Sequence, residues 1–360
     1  MKKKFLIILA YILIFFNSNF LGADKNISLK IGLLAPLSGE YKELGESLLY
    51  SLQLALDEIN DKNVIIIPKD TGSDDKEKLG KALEEMRLLN VNVVIGPIDN
   101  DDFSEVKKFS DIVFVSPSNK NPDFQKNIIS IGISFESQMM ALMKFLKKEN
   151  KKKTVILLPK NQYTEFIENK LKKFDLKNYK IFKYNNDPKI LTGEIEILTN
   201  YSQRQKKLEL RKKIFENKED EISKRELKLL EQRYTLGDVN FDSVIIVDFG
   251  NSLKSVLTSL VFSDVDQSKV LFTTVNQWFD ESIFYENTVK SLYYPSVDYK
   301  EFKKYKDNYY KIFKNFPSEI TILTYDALGL IYYVWKKNGQ VNSVNDFSFK
   351  GKIKGKIGTF

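Results

Sequence analysis

The first regular pattern of apolar residues begins at Ile31, where an apolar run ends at Pro36 and Ser38-Gly39 supplies a turn. Apolar residues then recur at the spacing of one helix face, at Leu48, Leu49, Leu52, Ala55, Leu56 and Ile59. This order predicts a buried strand, a turn and a long helix. Such a unit opens doubly wound α/β domains, in which ligands bind beyond the carboxyl ends of the strands. The turn that ends at Tyr41 is therefore a candidate binding edge, although an ordinary strand–helix connection has the same pattern.

Short apolar runs alternate with helical patterns along most of the chain. Strands are predicted at 64–68, 93–96, 112–115, 128–131, 155–158, 179–184, 244–247 and 270–273, with helices between most of them. This alternation predicts parallel sheets with helices on both faces, which is an α/β fold. A chain of 360 residues has room for two domains. We predict one doubly wound lobe from residues 25–134 plus 298–340, a second from residues 135–297, and a C-terminal tail from residues 341–360.

Residues 200–236 interrupt this alternation. They contain no Pro or Gly and consist mostly of good helix formers, with the apolar residues Leu208, Phe215, Ile222 and Leu229 spaced seven apart. The pattern predicts a charged helical insert in the second lobe, either one helix or two that meet at residues 217–220, anchored by these apolar residues. Two interpretations remain open. The insert is a solvated decoration, or it is an arm that binds a partner through Arg211, Lys212 and Lys213.

The N-terminus has the pattern of a targeting segment. Three lysines at Lys2, Lys3 and Lys4 precede a continuous apolar run over residues 5–16, and small residues follow before Asp24. This pattern predicts a cleavable signal peptide over residues 1–23. The apolar run is shorter than the ~20 residues that a transmembrane helix needs. An uncleaved membrane anchor is the alternative.

The amino-acid composition limits which kinds of catalytic and metal sites the chain can form. The chain has no cysteine and no histidine, so it has no disulfide, no thiol nucleophile and no His-based general base or metal ligand. Ser-Lys and paired-carboxylate chemistry stay open, but the chain has no motif for either. We predict no cofactor, no metal site and no catalytic residues, and favour a binding protein over an enzyme. The net charge is +8, and residues 201–236 alone carry eleven Lys or Arg and seven Asp or Glu. Because the basic excess is local, a nucleic-acid-binding surface is not expected.

Several motifs resemble those of known families. The segment from Ile31 to Asn60 resembles the start of type I periplasmic binding proteins, the leucine-binding-protein-like superfamily. The chain as a whole resembles the penicillin-binding protein activators of the LppC/LpoA-like family. That resemblance is carried by VVIGP at 93–97, VSPSN at 115–119, the charged insert before LGD at 236–238, FTTVNQW at 272–278, LYYP at 292–295 and TYDALGL at 324–330.

The resemblance implies a fold and two alternative functions. The fold is that of a type I periplasmic binding protein, with two lobes and a cleft between them. The first function is a non-catalytic periplasmic regulator of peptidoglycan synthesis, whose partner is a penicillin-binding protein. The alternative is the amino-acid-binding component of an ABC importer, whose partner is a membrane permease and whose ligand is a small molecule. The chain lacks the lipid-bearing cysteine of the classical outer-membrane activators.

Polar and aromatic residues directly follow many of the predicted strands. Those expected to line the cleft are Ser38, Tyr41, Asn100, Ser118, Asn119, Tyr163, Asn276 and Trp278. Ser38, Ser118 and Asn119 would form hydrogen bonds to a ligand, and Tyr163 and Trp278 would form apolar walls. The alternative is that these residues cap helices and fill the lobes. A standard amino-acid site is disfavoured, because no carboxylate lies between Asn276 and Asp280.

Overall fold

The computed structural model describes residues 28–356, except for residues 74, 99–102, 119–125, 162, 278–288 and 349. Within these residues the chain forms two parallel β-sheets with helices packed against them. The prediction of an α/β fold with two lobes is therefore confirmed. The domain boundaries and the signal peptide stay predictions, and residues 1–27 lie outside the described residues.

The strands and helices follow one another as the alternating pattern predicts. The strands are β1 (Leu29–Ala35), β2 (Val64–Asp70), β3 (Val93–Ile95), β4 (Val113–Ser116), β5 (Ile128–Ser130), β6 (Thr154–Pro159), β7 (Tyr179–Tyr184), β8 (Ser243–Ile246) and β9 (Leu271–Thr274). The helices are α1 (Lys42–Ile59), α2 (Lys76–Leu88), α3 (Phe103–Val106), α4 (Phe135–Lys148), α5 (Thr164–Leu171), α6 (Pro188–Thr199), α7 (Tyr201–Glu216), α8 (Glu221–Glu231), α9 (Gly250–Phe262), α10 (Tyr299–Phe313) and α11 (Ile320–Asn338).

The first sheet has the order β2-β1-β3-β4-β5, and all neighbouring strands are parallel. Alternate residues of β1 face opposite sides of this sheet. Ile31 and Leu33 are buried in a core that α1, α10 and α11 share, whereas Leu34 is buried in the core beneath α2. Because helices cover both faces, the strands are almost continuously apolar.

The second sheet has the order β7-β6-β8-β9 and is also parallel. Along β6, Val155 and Leu157 face the core beneath α6 and α9, and Ile156 and Leu158 face the core beneath α4. This lobe repeats the arrangement of the first. The carboxyl ends of each set of parallel strands lie at one edge of their sheet, so each lobe has one edge suited to ligand binding.

The chain passes between the two lobes in short segments. Ile131 is buried in the core of the first sheet and Phe135 in a core of the second, so one crossing lies between them. Tyr293 still pairs with Thr273 of β9, and Val297 packs against the core of the first sheet. A second crossing therefore lies between Tyr293 and Val297.

The insert consists of two helices, α7 and α8. Leu208 and Leu230 are buried, but Ile222 is 77% exposed and Leu229 is 48% exposed. The prediction that Ile222 and Leu229 anchor the insert was wrong. Helix α7 ends at Glu216 and α8 starts at Glu221, so residues spaced seven apart across this break do not share one helix face.

The C-terminal residues pack on the first lobe. A short 3₁₀ helix over Val344–Phe347 and the side chain of Ile353 lie against its core, and the backbone N–H of Lys356 donates to Asp326 Oδ1 at 2.8 Å. Among the residues that the structure describes, no helix is both long and apolar enough to cross a membrane.

Candidate functional site

The turn after β1 is fixed by a carboxylate at the end of β2. Asp70 accepts hydrogen bonds from the backbone N–H of Leu37 at 2.9 Å and of Gly72 at 2.8 Å, and Lys78 Nζ lies 2.6 Å from it. Lys78 Nζ also donates to Ser38 Oγ at 2.6 Å. Burial opposes the charged form of Asp70, but Lys78, Gly72 and Ser38 outweigh it and lower its pKa to about 2. Ser38 is therefore held in place beside a charged pair.

Tyr41 lies in the same loop, directly before α1. Its backbone N–H donates to Ser73 Oγ at 3.2 Å, and this hydroxyl donates to the carbonyl oxygen of Ser38 at 3.4 Å. The close approach of α1 to this loop requires glycine at position 45, because a Cβ atom there would lie 2.1 Å from the carbonyl oxygen of Pro36. The structure thus brings Ser38 and Tyr41 together at one edge of the first sheet.

Ser118 lies at the same edge, two residues beyond β4. It is 3% exposed, and its backbone N–H donates to Ser116 Oγ at 3.2 Å. Ser116 Oγ in turn donates to the carbonyl oxygen of Pro97 at 2.6 Å, and Ser130 Oγ donates to the carbonyl oxygen of Ser118 at 3.4 Å. These bonds join the ends of β3, β4 and β5. The candidates Asn100, Asn119 and Trp278 lie outside the described residues.

In the second lobe, Tyr163 lies at the start of α5, in the loop after β6. Its backbone N–H donates to Asn161 Oδ1 at 2.9 Å. Thr164 Oγ1 donates to the carbonyl oxygen of Pro159, the last residue of β6, at 2.6 Å. The loop is closed by its own hydrogen bonds, and the side chain of Tyr163 is half-buried.

Asn276 follows β9 and is fully buried between the lobes. Its backbone N–H donates to Gln138 Oε1 at 2.8 Å, and its Nδ2 donates to the carbonyl oxygen of Pro295 at 2.7 Å and to Glu319 Oε2 at 3.3 Å. Ser296 Oγ donates to the other oxygen of Glu319 at 2.7 Å. Because Glu319 begins α11 in the first lobe, Asn276 hydrogen-bonds to a crossing segment and to both lobes. We name these five residues the hinge network.

A second buried polar cluster follows β8 and was not among the predicted site residues. Asp248 is 6% exposed and accepts from Tyr184 Oη at 2.5 Å and from Ser252 Oγ. Gln277 Nε2 donates to the carbonyl oxygen of Asp248 at 2.8 Å. Burial raises the pKa of the Asp248 carboxyl, although Ser252 and Tyr184 oppose the shift. No Lys or Arg among the described residues forms an ion pair with it.

Asp248 could have been found from the sequence. It directly follows an apolar strand, which is the pattern that selected Ser118 and Asn276. The described candidates thus fall at the strand ends of both lobes. Ser38 and Tyr41 share one loop, Ser118 lies at the ends of β3 to β5, and Asn276 lies in the hinge network. In the described part of the chain, no group of acidic residues has the arrangement of a metal site.

The three partner-binding candidates on α7 have different surroundings. The guanidinium of Arg211 lies 4.7 Å from the centre of the Phe215 ring. Lys212 Nζ forms an ion pair with Glu209 at 3.1 Å. Lys213 lines a groove on the outer face of the helix. The three side chains therefore make different contacts, and their role in partner binding stays a prediction.

Residues 28–172 match the model of a protein family described as periplasmic binding protein. No curated protein matches the chain. The solved structures that resemble it include LivJ, the substrate-binding protein of a branched-chain amino acid transporter from Streptococcus pneumoniae, in complex with isoleucine. LivJ is 17% identical, with a TM-score of 0.60 over 92% of this chain and 91% of that one.

Two further structures resemble the chain to a similar degree. An ABC transporter substrate-binding protein from Desulfitobacterium hafniense, in complex with Leu, is 14% identical, with a TM-score of 0.64 and 92% of each chain covered. A solute-binding protein of an R. palustris ABC transporter, in complex with 4-hydroxybenzoate, is 13% identical, with a TM-score of 0.62 over 92% of this chain and 88% of that one. At these identities the similarity shows the fold, which is that of the type I periplasmic binding proteins.

Proposed function

We propose that the chain is the solute-binding component of an ABC importer and binds a small molecule between its two lobes. The observation that carries this proposal is the hinge network. Asn276, Pro295 and Glu319 join the second lobe, a crossing segment and the first lobe through a few hydrogen bonds. Two lobes joined by short crossings can change their separation without losing their own cores, which is the hinge type of domain closure.

The ligands of the similar structures suggest a chemical class. Isoleucine, leucine and 4-hydroxybenzoate each join one carboxylate to an apolar body. A site for such a ligand needs hydrogen-bond donors for the carboxylate and apolar walls for the rest. Ser38 and Ser118 in the first lobe are the proposed hydrogen-bonding residues, and Tyr163 in the second lobe is the proposed wall. The location that accompanies this function is the periplasm, and the partner is a membrane permease.

Binding and closure are coupled in this proposal. A ligand that contacts both lobes stabilises the closed arrangement by the difference between its affinities for the closed and open states. The first lobe presents a fixed edge, because Lys78 and Asp70 hold the turn at Ser38. The second lobe moves against this edge when the hinge network rearranges. The closed form would then be the one that the permease recognises.

A regulator of peptidoglycan synthesis is the second candidate. The observation that favours it is the charged insert, because α7 carries six Lys or Arg and only two Glu and is not part of either sheet. In that function the surface of α7 and α8 would bind a penicillin-binding protein, and the cleft would have a minor role. The solved structures described above are transport proteins, which favours the importer.

A thermal-shift screen of residues 24–360 separates the two candidates. The compounds are branched-chain amino acids, benzoate and 4-hydroxybenzoate, and peptidoglycan fragments. A ligand at 100 times its dissociation constant should add ~2.7 kcal/mol to the free energy of unfolding. Stabilisation by a small carboxylate is expected. Stabilisation by peptidoglycan fragments alone would contradict a small carboxylate as the ligand, and no stabilisation at all would contradict ligand binding in the cleft.

Two matched variants test whether the cleft is the site. Tyr163→Ala removes the proposed wall, whereas Tyr299→Ala makes the same change on an exposed residue at the start of α10. We expect Tyr163→Ala to weaken binding of the selected ligand about tenfold, which corresponds to ~1.4 kcal/mol. Tyr299→Ala should leave ligand binding unchanged. Equal affinities for both variants would place the ligand elsewhere.

A further inference from the structure

The outer face of α7 carries a groove of about 700 Å³. It is lined by Ser202, Gln205, Lys206, Glu209, Leu210, Lys213 and Tyr234. Tyr234 is 75% exposed and Leu210 is 63% exposed. Exposed apolar side chains that share one groove are a feature of binding surfaces, and tyrosine is enriched at such surfaces.

Two cations in this groove have no partner in the described part of the chain. No described residue forms a hydrogen bond or an ion pair with the side chain of Lys206 or Lys213. In contrast, Lys212 pairs with Glu209 at 3.1 Å, which neutralises the one carboxylate of the groove. The groove therefore presents two free positive charges on either side of apolar side chains.

The groove is held firmly on the second lobe. Arg204 is 4% exposed on the opposite side of α7, where it donates to the carbonyl oxygens of Gly237 at 3.2 Å and Asp264 at 2.6 Å. Leu208, one turn further along, is 2% exposed. A surface whose backbone is fixed in this way loses little conformational freedom when a partner binds.

From these observations we infer that the groove docks an acidic segment of another protein. Carboxylates of that segment would lie beside Lys206 and Lys213, and an apolar side chain between them would pack against Leu210 and Tyr234. Charge complementarity favours this occupant, since Lys206 and Lys213 lie in the groove and its Glu209 is already paired with Lys212. This inference is independent of what the cleft binds.

Two other occupants suit the surface less well. Membrane surfaces are bound by clusters of about four to eight Lys or Arg, and the groove has only two free lysines. Symmetric docking of a second copy would bring two inserts of equal positive charge together, and residues 201–236 carry eleven Lys or Arg against seven Asp or Glu. Like charges would oppose that contact.

Fluorescence anisotropy tests the inference with residues 24–360 and a labelled peptide in which Glu alternates with Leu. The Lys206→Glu/Lys213→Glu variant should bind the peptide at least about tenfold more weakly at physiological salt. The matched control is Lys303→Glu/Lys311→Glu, which makes the same charge change on exposed positions of α10 and should bind like the wild type. Circular dichroism establishes that all variants are folded.

A second comparison measures the contribution of the apolar side chains to peptide binding. Leu210→Ala/Tyr234→Ala should also weaken binding of the Glu-Leu peptide, whereas a peptide that alternates Glu with Ser should bind the wild type more weakly than the Glu-Leu peptide does. Equal binding by the groove and α10 charge variants would overturn the inference. So would tighter binding to phosphatidylserine vesicles than to the peptide, or a dimer in sedimentation that the groove variants abolish.

Discussion

Replacing Arg204 by methionine should cost the protein about 3–5 kcal/mol of stability. The guanidinium donates five hydrogen bonds from a site where the side chain is only 5% exposed. The acceptors are the carbonyl oxygens of Thr199, Gly237, Ser263 and Asp264 and the hydroxyl of Thr235. Methionine fills much of the space of the arginine stem but donates none of these bonds. Each buried acceptor left unpaired costs about 1–3 kcal/mol, and these costs are not fully additive.

Arg211→Met is the matched control on the same helix. Arg211 is exposed and its guanidinium lies 4.7 Å from the centre of the Phe215 ring, and such a contact contributes about 0.5–1 kcal/mol at an exposed site. Urea unfolding followed by far-UV circular dichroism measures both variants. A loss for Arg204→Met no larger than that for Arg211→Met would refute the argument that Arg204 anchors the insert.

Three further outcomes follow from the polar clusters. Asp70→Asn should destabilise the protein by about 1 kcal/mol at pH 6, since the folded pKa of about 2 lies below that of the unfolded chain; the difference from wild type should vanish between pH 4 and pH 2 in urea titrations. The pH dependence of stability should have the opposite sign for Asp248, because burial raises its pKa in the folded protein. Wild type should therefore lose stability relative to Asp248→Asn as pH increases above 4. Asn276→Ala should cost about 1–3 kcal/mol in urea unfolding, because it leaves the carbonyl of Pro295 unpaired, and Asn276→Asp should cost more, because it adds a carboxylate beside Glu319.

Most of the sheet architecture could be predicted from the sequence, because a strand buried on both faces leaves a continuous apolar run. Val155 and Leu157 face one core and Ile156 and Leu158 the other, and this requires every residue of the run to be apolar. The order of strands within each sheet could not be predicted in this way. It depends on how helices of both faces pack, which no local pattern records.

The spacing of apolar residues did not predict which residues of the insert are buried. Ile222 shares the spacing of Leu208 but is exposed, because the chain changes direction between α7 and α8. The residue that does anchor the insert is Arg204, whose type predicts exposure. Its burial depends on carbonyl groups that lie more than thirty residues away, such as those of Gly237 and Asp264. A single sequence gives no signal for such contacts.

The sequence predicts where the candidate site lies, at the ends of the strands, but it does not predict which contacts the site residues make. Ser38, Ser118 and Asn276 were predicted because each follows a strand in the sequence, and all three lie where strands of the two sheets end. The sequence pattern does not reveal that Asn276 hydrogen-bonds across the lobes, because its partner Glu319 lies 43 residues further along the chain. Asp248 also directly follows an apolar strand and has the same sequence pattern.

The most direct test of the account is the distance between the lobes with and without ligand. Because the chain has no cysteine, Lys76→Cys at the start of α2 and Lys189→Cys at the start of α6 provide two unique sites for spin labels. Both positions are exposed, and they follow the edge strands of the two sheets. Double electron–electron resonance should give a shorter and narrower distance distribution after saturation with the ligand selected by the thermal-shift screen. An unchanged distribution at saturation would contradict closure of the lobes around a bound solute.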